Sequence, residues 1–479
     1  MGRNDAEYSL VLWPVESSML STAWQAATLN RFALSQWREV SLLHRVLGFA
    51  RAWRQGSVLL PWGDAIALGI IAILFALAPY VPTSLIGVLL LACSAFWLLL
   101  TLTDEAGEGL TPIHLVVIAY WGIMVLATAV SPVRGAAIAG LIKLTLNVLL
   151  FLLMARVLRR SPLRTSLITV YLLTALVISV FGLRQWFFGA EALATWVDPT
   201  SNLAGTTRVY SYLGNPNLLA GYLIPAVMLS GAAVFAWPRW TPKLLAILST
   251  FVNTACLVLT FSRGGWLGFV AGGFALLVLL VQFWSVRFTP FWRRWAIPTL
   301  LGGSAAFLLV AIAGLDPLRD RVMTIFAGRS DSSNNFRINV WMAVIDMIKA
   351  RPILGIGPGN DAFNQVYPLF QRPRYTALSA YSIFLEIAVE AGLIGLSMFC
   401  WLLTVTFGQG WRILQQLREL QSVQAYWLIA VIATMVGMLV HGLVDTVWFR
   451  PQVSTLWWLM LAIVASYYRS QPLASASES

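Results

Sequence analysis

Long uninterrupted apolar runs constrain this sequence more than any other feature. A helix needs about 20 apolar residues to cross a bilayer, and twelve runs approach or exceed that length. They cover approximately residues 64–80, 83–103, 112–130, 135–157, 166–188, 216–237, 243–261, 264–285, 296–315, 380–406, 426–447 and 452–468. Strands of a membrane barrel alternate apolar and polar residues, whereas these runs are apolar throughout, which lipid tolerates only in helices. We therefore predict an all-α fold, a polytopic transmembrane helical bundle of about 12 spans with a large outer loop between spans 9 and 10.

The composition of the 479-residue chain supports a membrane protein and argues against other classes. Hydrophobic residues make up 59% and charged residues 11%, where soluble domains carry about 25% charged residues. The net charge of +12 rests on arginine, since the chain has only three lysines. On so apolar a chain these arginines indicate membrane topology and anion contacts, and we expect no nucleic-acid partner.

Several common sites and signals have no counterpart in the sequence. The cysteines Cys93, Cys256 and Cys400 lie far apart inside apolar runs, a spacing that predicts neither a metal site nor a disulfide framework. No P-loop lysine, dinucleotide-binding unit or haem spacing is found, so we expect no metal and no cofactor. Residues 1–20 hold no apolar core of a cleavable signal peptide.

Arginine and lysine in the short connections predict the orientation of the bundle. With the N-terminus in the cytoplasm, the inner connections carry eleven of these residues and the short outer ones carry four. One inner connection dissents, since Asp104, Glu105 and Glu108 bring no basic residue, but acidic residues weigh little in this rule. We predict a multi-pass protein of the inner (plasma) membrane with both termini in the cytoplasm.

The domain organisation follows from the polarity along the chain. Residues 1–60 are expected to form a cytoplasmic segment, in which 28–54 is an amphipathic helix lying on the membrane surface. Residues 61–470 are expected to form the transmembrane domain, and 471–479 a disordered tail.

The outer loop, residues 316–379, is long enough to suggest a function. Within it, 334–350 is predicted as an amphipathic helix capped by Ser333 and ended by Pro352. Its apolar face is expected to comprise Trp341, Val344, Ile345 and Ile348. The glycine-rich stretch 354–360 superficially resembles a phosphate loop, but without a strand–helix context a tight turn is favoured.

Charged and polar residues inside apolar runs are candidates for function, because burying a charge in a membrane is costly. Lys143 lies near the middle of the fourth span. Glu386 and Glu390 share a face of the tenth span, and their alternative role is structural pairing with Arg or Lys. His441 and Asp445 are also four residues apart, which fits either a helix-end hydrogen bond or catalysis.

Equal depth in the membrane suggests a partner for the buried lysine. Lys143 and Glu390 each lie about 13–15 Å along their spans at 1.5 Å per residue, so a salt bridge between them is predicted, with Glu386 as the alternative. The competing hypothesis is that Lys143 lines a water-filled anion path.

Three arginines are the best candidates for an anion site on the outer side. Arg208, Arg263 and Arg337 open or precede apolar or amphipathic helices there. Guanidinium groups bind planar or multi-oxygen anions bidentately. Arg263 and Arg450 have the alternative of reaching from the bundle to the membrane interface.

These motifs, in this order, resemble the O-antigen ligase and polymerase (WaaL-like) superfamily over about residues 130–460. The ordered set is Arg208 with Asn215-Pro216-Asn217, Ser262-Arg263-Gly264-Gly265-Trp266, Arg337 with Trp341, Pro352 and Gly355-Ile356-Gly357, then Leu385-Glu386 and 390–395. More narrowly, the stretches 37–54, 208–217, 332–341 and 378–382 are similar to the cyanobacterial IctB group, to which bicarbonate transport is attributed.

The resemblance implies two functions. The IctB group implies a non-catalytic membrane protein of inorganic-carbon uptake that binds bicarbonate on its outer face. The superfamily implies a metal-independent transferase acting on undecaprenyl-diphosphate-linked glycan. Its ligases place an essential His-Asn pair where this chain has Tyr381 and Ser382, so the arginines match and the base does not.

Overall fold

The computed structural model describes residues 19–29, 57–103, 110–190, 208–314, 316–326 and 328–468. Within these residues every regular element is a helix, which confirms the predicted all-α fold. The predicted surface helix 28–54 (apart from its first two residues), the acidic connection 104–108 and the tail 471–479 lie outside the described residues.

Sixteen α-helices are present in the described residues, numbered here in chain order. They are α1 Met19–Ala27, α2 Gly63–Leu77, α3 Thr83–Thr103, α4 Pro112–Ala129, α5 Arg134–Val157, α6 Ser161–Phe188, α7 Pro216–Ala236, α8 Trp240–Leu259, α9 Arg263–Trp284, α10 Pro290–Gly314, α11 Asp316–Phe326, α12 Ser332–Ala350, α13 Asn360–Val366, α14 Ile383–Glu419, α15 Gln424–Gly442 and α16 Pro451–Ser466.

The membrane-spanning helices coincide with the predicted apolar runs. Eleven helices in the described residues are long and apolar enough to cross a membrane, against about 12 predicted. The twelfth run forms α16, which has 16 residues and therefore spans about 24 Å, less than the ~30 Å hydrocarbon core. Nearly every residue of α16 from Val453 onward is buried. The helix is therefore surrounded by protein, and its length does not have to match the thickness of the bilayer. The protein is a multi-pass membrane protein.

Small residues bring the central helices α9 and α15 into direct backbone contact. A β-carbon on Gly268 would lie 2.6 Å from the carbonyl oxygen of Gly437, and one on Gly437 would lie 2.7 Å from that of Gly268. Close approach of this kind drives helix association in lipid, where apolar side chains gain little by leaving the solvent. The contact fixes the ends of α9 and α15 that carry Arg263 and His441.

Helix α14 is broken at Gly392, where the backbone adopts φ 68° and ψ −170°. The segment 353–359 packs into this break. The Ile356 and Gly357 amides donate to the carbonyls of Val389 and Glu390, at 2.9 and 2.8 Å, and the Leu393 amide donates to Pro352 at 2.7 Å. The glycine-rich stretch is thus a turn bound to a helix break.

The long polar segment contains the predicted helix, with two differences. Asp331 caps α12, because its side chain accepts a hydrogen bond from the Asn334 amide at 2.8 Å. The prediction of Ser333 as the cap was wrong, and Ser333 lies within the first turn. The buried face is Val340, Ala343, Val344 and Met347. Ile345, predicted on the buried face, is exposed, since the contacting stripe is rotated by part of a turn.

Candidate functional site

A cavity of about 260 Å³ lies where α7, α9, α12 and the end of α15 meet. We call this side of the bundle the site face; the charge distribution predicts it to be the outer side. The guanidinium-bearing residues Arg208, Arg263 and Arg337 all line this one cavity. The rest of the lining is Asn217, Gly264, Leu267, Gly328, Ser333, Asn334, Ile338, Trp341 and Val444.

Arg208 is held by the ends of two neighbouring helices. Its Nε donates to the carbonyl of Thr260 at 3.0 Å, just after α8. Its Nη2 donates to the side-chain oxygen of Asn217 at 3.2 Å, in the first turn of α7. Asn215 begins that helix by accepting from the amides of Asn217 and Leu218, which explains locally why the Asn-Pro-Asn motif follows the arginine.

Arg263 opens α9 and ties it to the long polar segment. Ser262 caps this helix, accepting from the Gly265 amide at 3.2 Å. The Arg263 guanidinium forms an ion pair with Asp331 at 3.0 Å and donates to the carbonyl of Thr324 at 3.1 Å. Because Asp331 also caps α12, one carboxylate joins the start of α9 to the start of α12.

Arg337, on the first turns of α12, forms a longer ion pair than Arg263 does. Its Nη1 donates to Ser333 at 2.9 Å, and its Nη2 lies 4.0 Å from the carboxylate of Asp445. Its Nε is buried and donates no hydrogen bond within the described part of the chain. Trp341, one turn further on, also has a buried indole N–H without a partner among the described residues. Two residues of the cavity lining therefore carry a donor that is unpaired within this part of the chain.

Three cations gather in this cavity with two carboxylates beside them. Burial and the neighbouring Arg263 and Arg337 together lower the pKa of Arg208 to about 10, while Asp445 opposes the change. Burial likewise lowers the pKa of Arg337, with Asp445 again acting in the opposite direction. The cavity is rich in guanidinium groups, and an anion entering it would relieve repulsion among them.

Asp445 links the arginines to the end of α15. Its carboxylate accepts from the Asn217 side chain at 3.0 Å and from the amides of Thr446 and Val447 at 2.7 and 3.1 Å. Asn217 therefore bridges Arg208 and Asp445. Asp331 and Asn217 were absent from the predicted site, although both flank predicted motifs.

His441 lies beneath the cavity and does not line it. The ring is 3% exposed and packs on Gly264, where a β-carbon would lie 2.8 Å from its Cδ2. Its Nε2 has no hydrogen-bond partner among the described residues, and Asp445 binds backbone amides and Asn217 instead. The predicted helix-end hydrogen bond between His441 and Asp445 is not formed, because α15 ends at Gly442 and the chain turns before Asp445.

The two glutamates of α14 bind backbone amides, not cations. Glu386 accepts from the amide of Ala380, and Glu390 accepts from the amide of Gly359 at 2.6 Å. Among the described residues, neither glutamate pairs with Arg or Lys, which was one of the two roles considered for them. Each carboxylate fixes a loop of the site face to α14.

Lys143 pairs with Asp361, at 3.3 Å, and not with Glu390 or Glu386 as predicted. Lys143 and Glu390 were predicted to lie at the same depth, and both line one cavity of about 450 Å³. The segment 353–361 enters between them, however, and brings a closer carboxylate to the lysine. Both members of the pair are more than half exposed, at 68% and 54%.

Tyr381 stands between the arginine cavity and Arg450. It has φ 51° and its ring meets that of Phe336 edge-on at 5.4 Å. Burial raises its pKa, as does the negative charge of Asp445, while Arg337 and Arg450 act to lower it. The phenol is therefore neutral at physiological pH.

The segment 244–400 matches the family model described as O-Antigen ligase. The chain is similar to O-antigen ligase over this third of its length. The match includes Arg263, Arg337, Glu386 and Glu390 and leaves Arg208 and Asp445 outside it. No curated protein matches the chain, so the narrower IctB resemblance stays a prediction. In the described residues no three His, Cys, Asp or Glu side chains gather closely enough to hold a metal ion.

Proposed function

We propose that the protein is a glycan transferase that binds a lipid-linked diphosphate sugar at its site face, with Arg208, Arg263 and Arg337 on the diphosphate. The convergence of the three guanidiniums in one cavity carries this proposal. The O-antigen ligase match supports it, since two of the three lie within the matched residues.

The chemistry of such a transfer fits a cluster of arginines. A hydroxyl oxygen of the acceptor forms a bond to the anomeric carbon of the donor sugar, and the bond from that carbon to the diphosphate oxygen breaks. The diphosphate leaves with the electron pair, and the acceptor hydroxyl releases its proton to solvent water. Negative charge grows on the leaving group, where preorganised cationic donors lower the barrier. Planar guanidiniums hold two oxygens each, so three of them match a diphosphate.

Bicarbonate uptake is supported less well by the same cavity. A bicarbonate ion carries one negative charge and three oxygens, so one guanidinium fork with one further donor satisfies it. A cavity of about 260 Å³ with three guanidiniums offers more volume and more hydrogen-bond donors than that ion needs. A membrane-anchored diphosphate uses both.

Purified protein in liposomes tests the proposal, with bicarbonate flux and turnover of undecaprenyl-diphosphate-linked oligosaccharide measured side by side. Arg263→Lys and Arg337→Lys keep the charge and remove the fork, so each is expected to reduce glycan turnover by about 100-fold. Arg294→Lys, an exposed arginine near the start of α10, is the matched control and should leave turnover unchanged.

The result that contradicts the proposal is equally specific. Bicarbonate flux that depends on Arg263 and Arg337, with no glycan turnover, would assign the cavity to the inorganic anion. Full turnover in both Lys variants would show that these arginines only anchor the helices.

A further inference from the structure

A second, larger cavity lies on the site face beside the arginine cavity. Its volume is about 450 Å³, and α4, α5, α13, α14 and the start of α16 form its walls. None of its lining residues lines the arginine cavity. The O-antigen ligase match begins after α4 and α5 and ends before α16, so much of this cavity is built by unmatched residues.

The charges around this cavity are balanced. Lys143 and Arg450 contribute two positive charges, and Asp361 and Glu390 contribute two negative ones. Lys143 and Asp361 form an ion pair at 3.3 Å with both side chains largely exposed. Such a lining favours a neutral ligand with many hydroxyls over a simple anion, because hydroxyls accept from the lysine and donate to the carboxylate.

Carboxamides add to the hydrogen-bonding capacity of the wall. Asn147, on α5, lines the cavity one turn beyond Lys143, and its Nδ2 donates to the Lys143 carbonyl at 2.9 Å. Asn360 and Asn364 line it from α13. A carboxamide offers both a donor and an acceptor in one plane, which suits adjacent hydroxyls on a sugar ring.

An aromatic cluster forms the opposite wall. Trp448 and Trp457 lie 3.9 Å apart between ring centroids, and Phe399 lies 6.0 Å from Trp448. Tyr120 extends the cluster, 6.2 Å from Phe399. These rings line the cavity and are largely buried. Aromatic surfaces pack on the C–H faces of sugar rings while polar side chains bind the hydroxyls.

Residues 378–381 lie close to both cavities. Leu378 lines the larger cavity, Ser379 is bonded to Thr446 at 2.5 Å, and Tyr381 interacts electrostatically with Arg337 on one side and Arg450 on the other. A transferase needs a donor site and an acceptor site that meet at the reacting atoms.

We infer that the larger cavity binds the sugar acceptor, with hydroxyls on the Lys143–Asp361 pair and the carboxamides, and ring faces on the aromatic wall. The binding of a sugar follows from the cavity alone. The acceptor role rests on the proposed transferase function.

Saturation-transfer NMR on the full chain in phosphatidylcholine nanodiscs tests the inference. The probes are four soluble disaccharides: a gluco-, a galacto-, an N-acetylamino- and a uronic acid-containing one. At least one is expected to receive saturation. The double change Lys143→Gln with Asp361→Asn should weaken its binding about tenfold, as expected for losing hydrogen bonds to charged groups. The matched control is Lys349→Gln with Asp346→Asn, an exposed Lys–Asp pair at 3.5 Å on α12 away from the cavity.

Two further arms separate this inference from the proposed function. Arg263→Lys should leave disaccharide binding unchanged while it abolishes turnover of the lipid-linked donor, whereas disaccharide binding that needs Arg263 would overturn a separate sugar site. Absence of binding for all four probes would overturn the inference and leave the diphosphate site intact.

Loss of disaccharide binding in phosphatidylglycerol nanodiscs would instead assign the cavity to a lipid headgroup. Asn364→Ala, at a cavity-lining position, provides a second variant should the double change fail to fold, and its expected effect is also a loss of disaccharide binding.

Discussion

Asn217 does more at the arginine cavity than its place in a turn motif suggests. It accepts from Arg208 at 3.2 Å and donates to Asp445 at 3.0 Å, so it holds a cation and an anion apart while binding both. A carboxamide can do this because it carries one acceptor and one donor group. Arg208 lines the cavity with its bond to Asn217 in place.

Asn217→Asp is therefore expected to weaken binding of the diphosphate donor more than Asn217→Ala does. The aspartate adds a negative charge beside Asp445 and neutralises Arg208, whereas alanine only removes two hydrogen bonds. We expect about a tenfold loss of donor affinity for Ala and a larger loss for Asp, measured as the Kd for lipid diphosphate in nanodiscs. Equal affinities in the two variants would contradict a diphosphate on Arg208.

The titration of Arg208 predicts how donor binding depends on pH. Its pKa is lowered to about 10 by burial and by Arg263 and Arg337, against Asp445. The guanidinium is charged below that value and neutral above it. Donor affinity should therefore be constant from pH 7 to 9 and fall as the pH rises through about 10. The Arg208→Met variant should bind the donor more weakly at every pH and should not show this decline in affinity. A decline that persists in the variant would assign the titration to another group.

At the scale of single residues, the sequence alone was informative where a motif reported local geometry. The arginines could be predicted because cations on an apolar chain need a reason to be there. The partners of the cations could not be predicted in this way, since Asp331 is 68 residues from Arg263 and Asp361 is 218 residues from Lys143. Counting residues along the helix predicted the depth of Lys143. The periodicity of the sequence, however, does not indicate that a loop packs between two spans.

At the scale of elements, the break in α14 connects the loop 353–359 to the larger cavity. The amide of Gly359 binds Glu390, which lies two residues before the break, and Asn360 follows directly into the larger cavity. Helix positions were predictable because lipid requires every backbone group to be paired within the span. The break in α14 was not predictable from the sequence, because its unpaired amides and carbonyls bind residues that are distant in sequence.

Gly392→Ala is expected to destabilise the protein and disorder the larger cavity. Its φ of 68° and ψ of −170° are costly for any residue with a β-carbon, and that atom would lie 2.1 Å from the carbonyl oxygen of Ile353. Strain of this kind costs about 1–3 kcal/mol before the clash is counted. Thermal unfolding in detergent should show a lowered Tm together with lost turnover.

Gly122→Ala in α4 is the matched control for that change. A β-carbon there meets nothing within 4 Å, and alanine is the better helix former by about 1 kcal/mol. The Tm should be unchanged or slightly raised. A Tm for Gly392→Ala as high as that of Gly122→Ala would show that the break tolerates a side chain.

At the scale of the whole molecule, the site face carries both cavities, one cationic and one polar and aromatic. The proposed reaction on a membrane-anchored glycan needs a site of each kind. The starts of α7, α9, α14 and α16 and the end of α15 all lie on this face. The opposite face carries the connections rich in arginine, including Arg156, Arg159 and Arg160. Positive connections stay on the cytoplasmic side, so the site face is predicted to point outward.

Single cysteines in intact cells test that orientation. With Cys400 replaced by alanine, since it is exposed while Cys93 and Cys256 are buried, two exposed positions report on the two faces. Gln371→Cys lies in the polar segment of the site face, and Glu419→Cys ends α14 on the opposite face. A membrane-impermeant maleimide should label Gln371→Cys in intact cells and Glu419→Cys only after permeabilisation. The reverse pattern would place the arginine cavity in the cytoplasm, where a donor glycan presented on the outer leaflet could not reach it, and the proposed transfer would then require a donor on the inner leaflet.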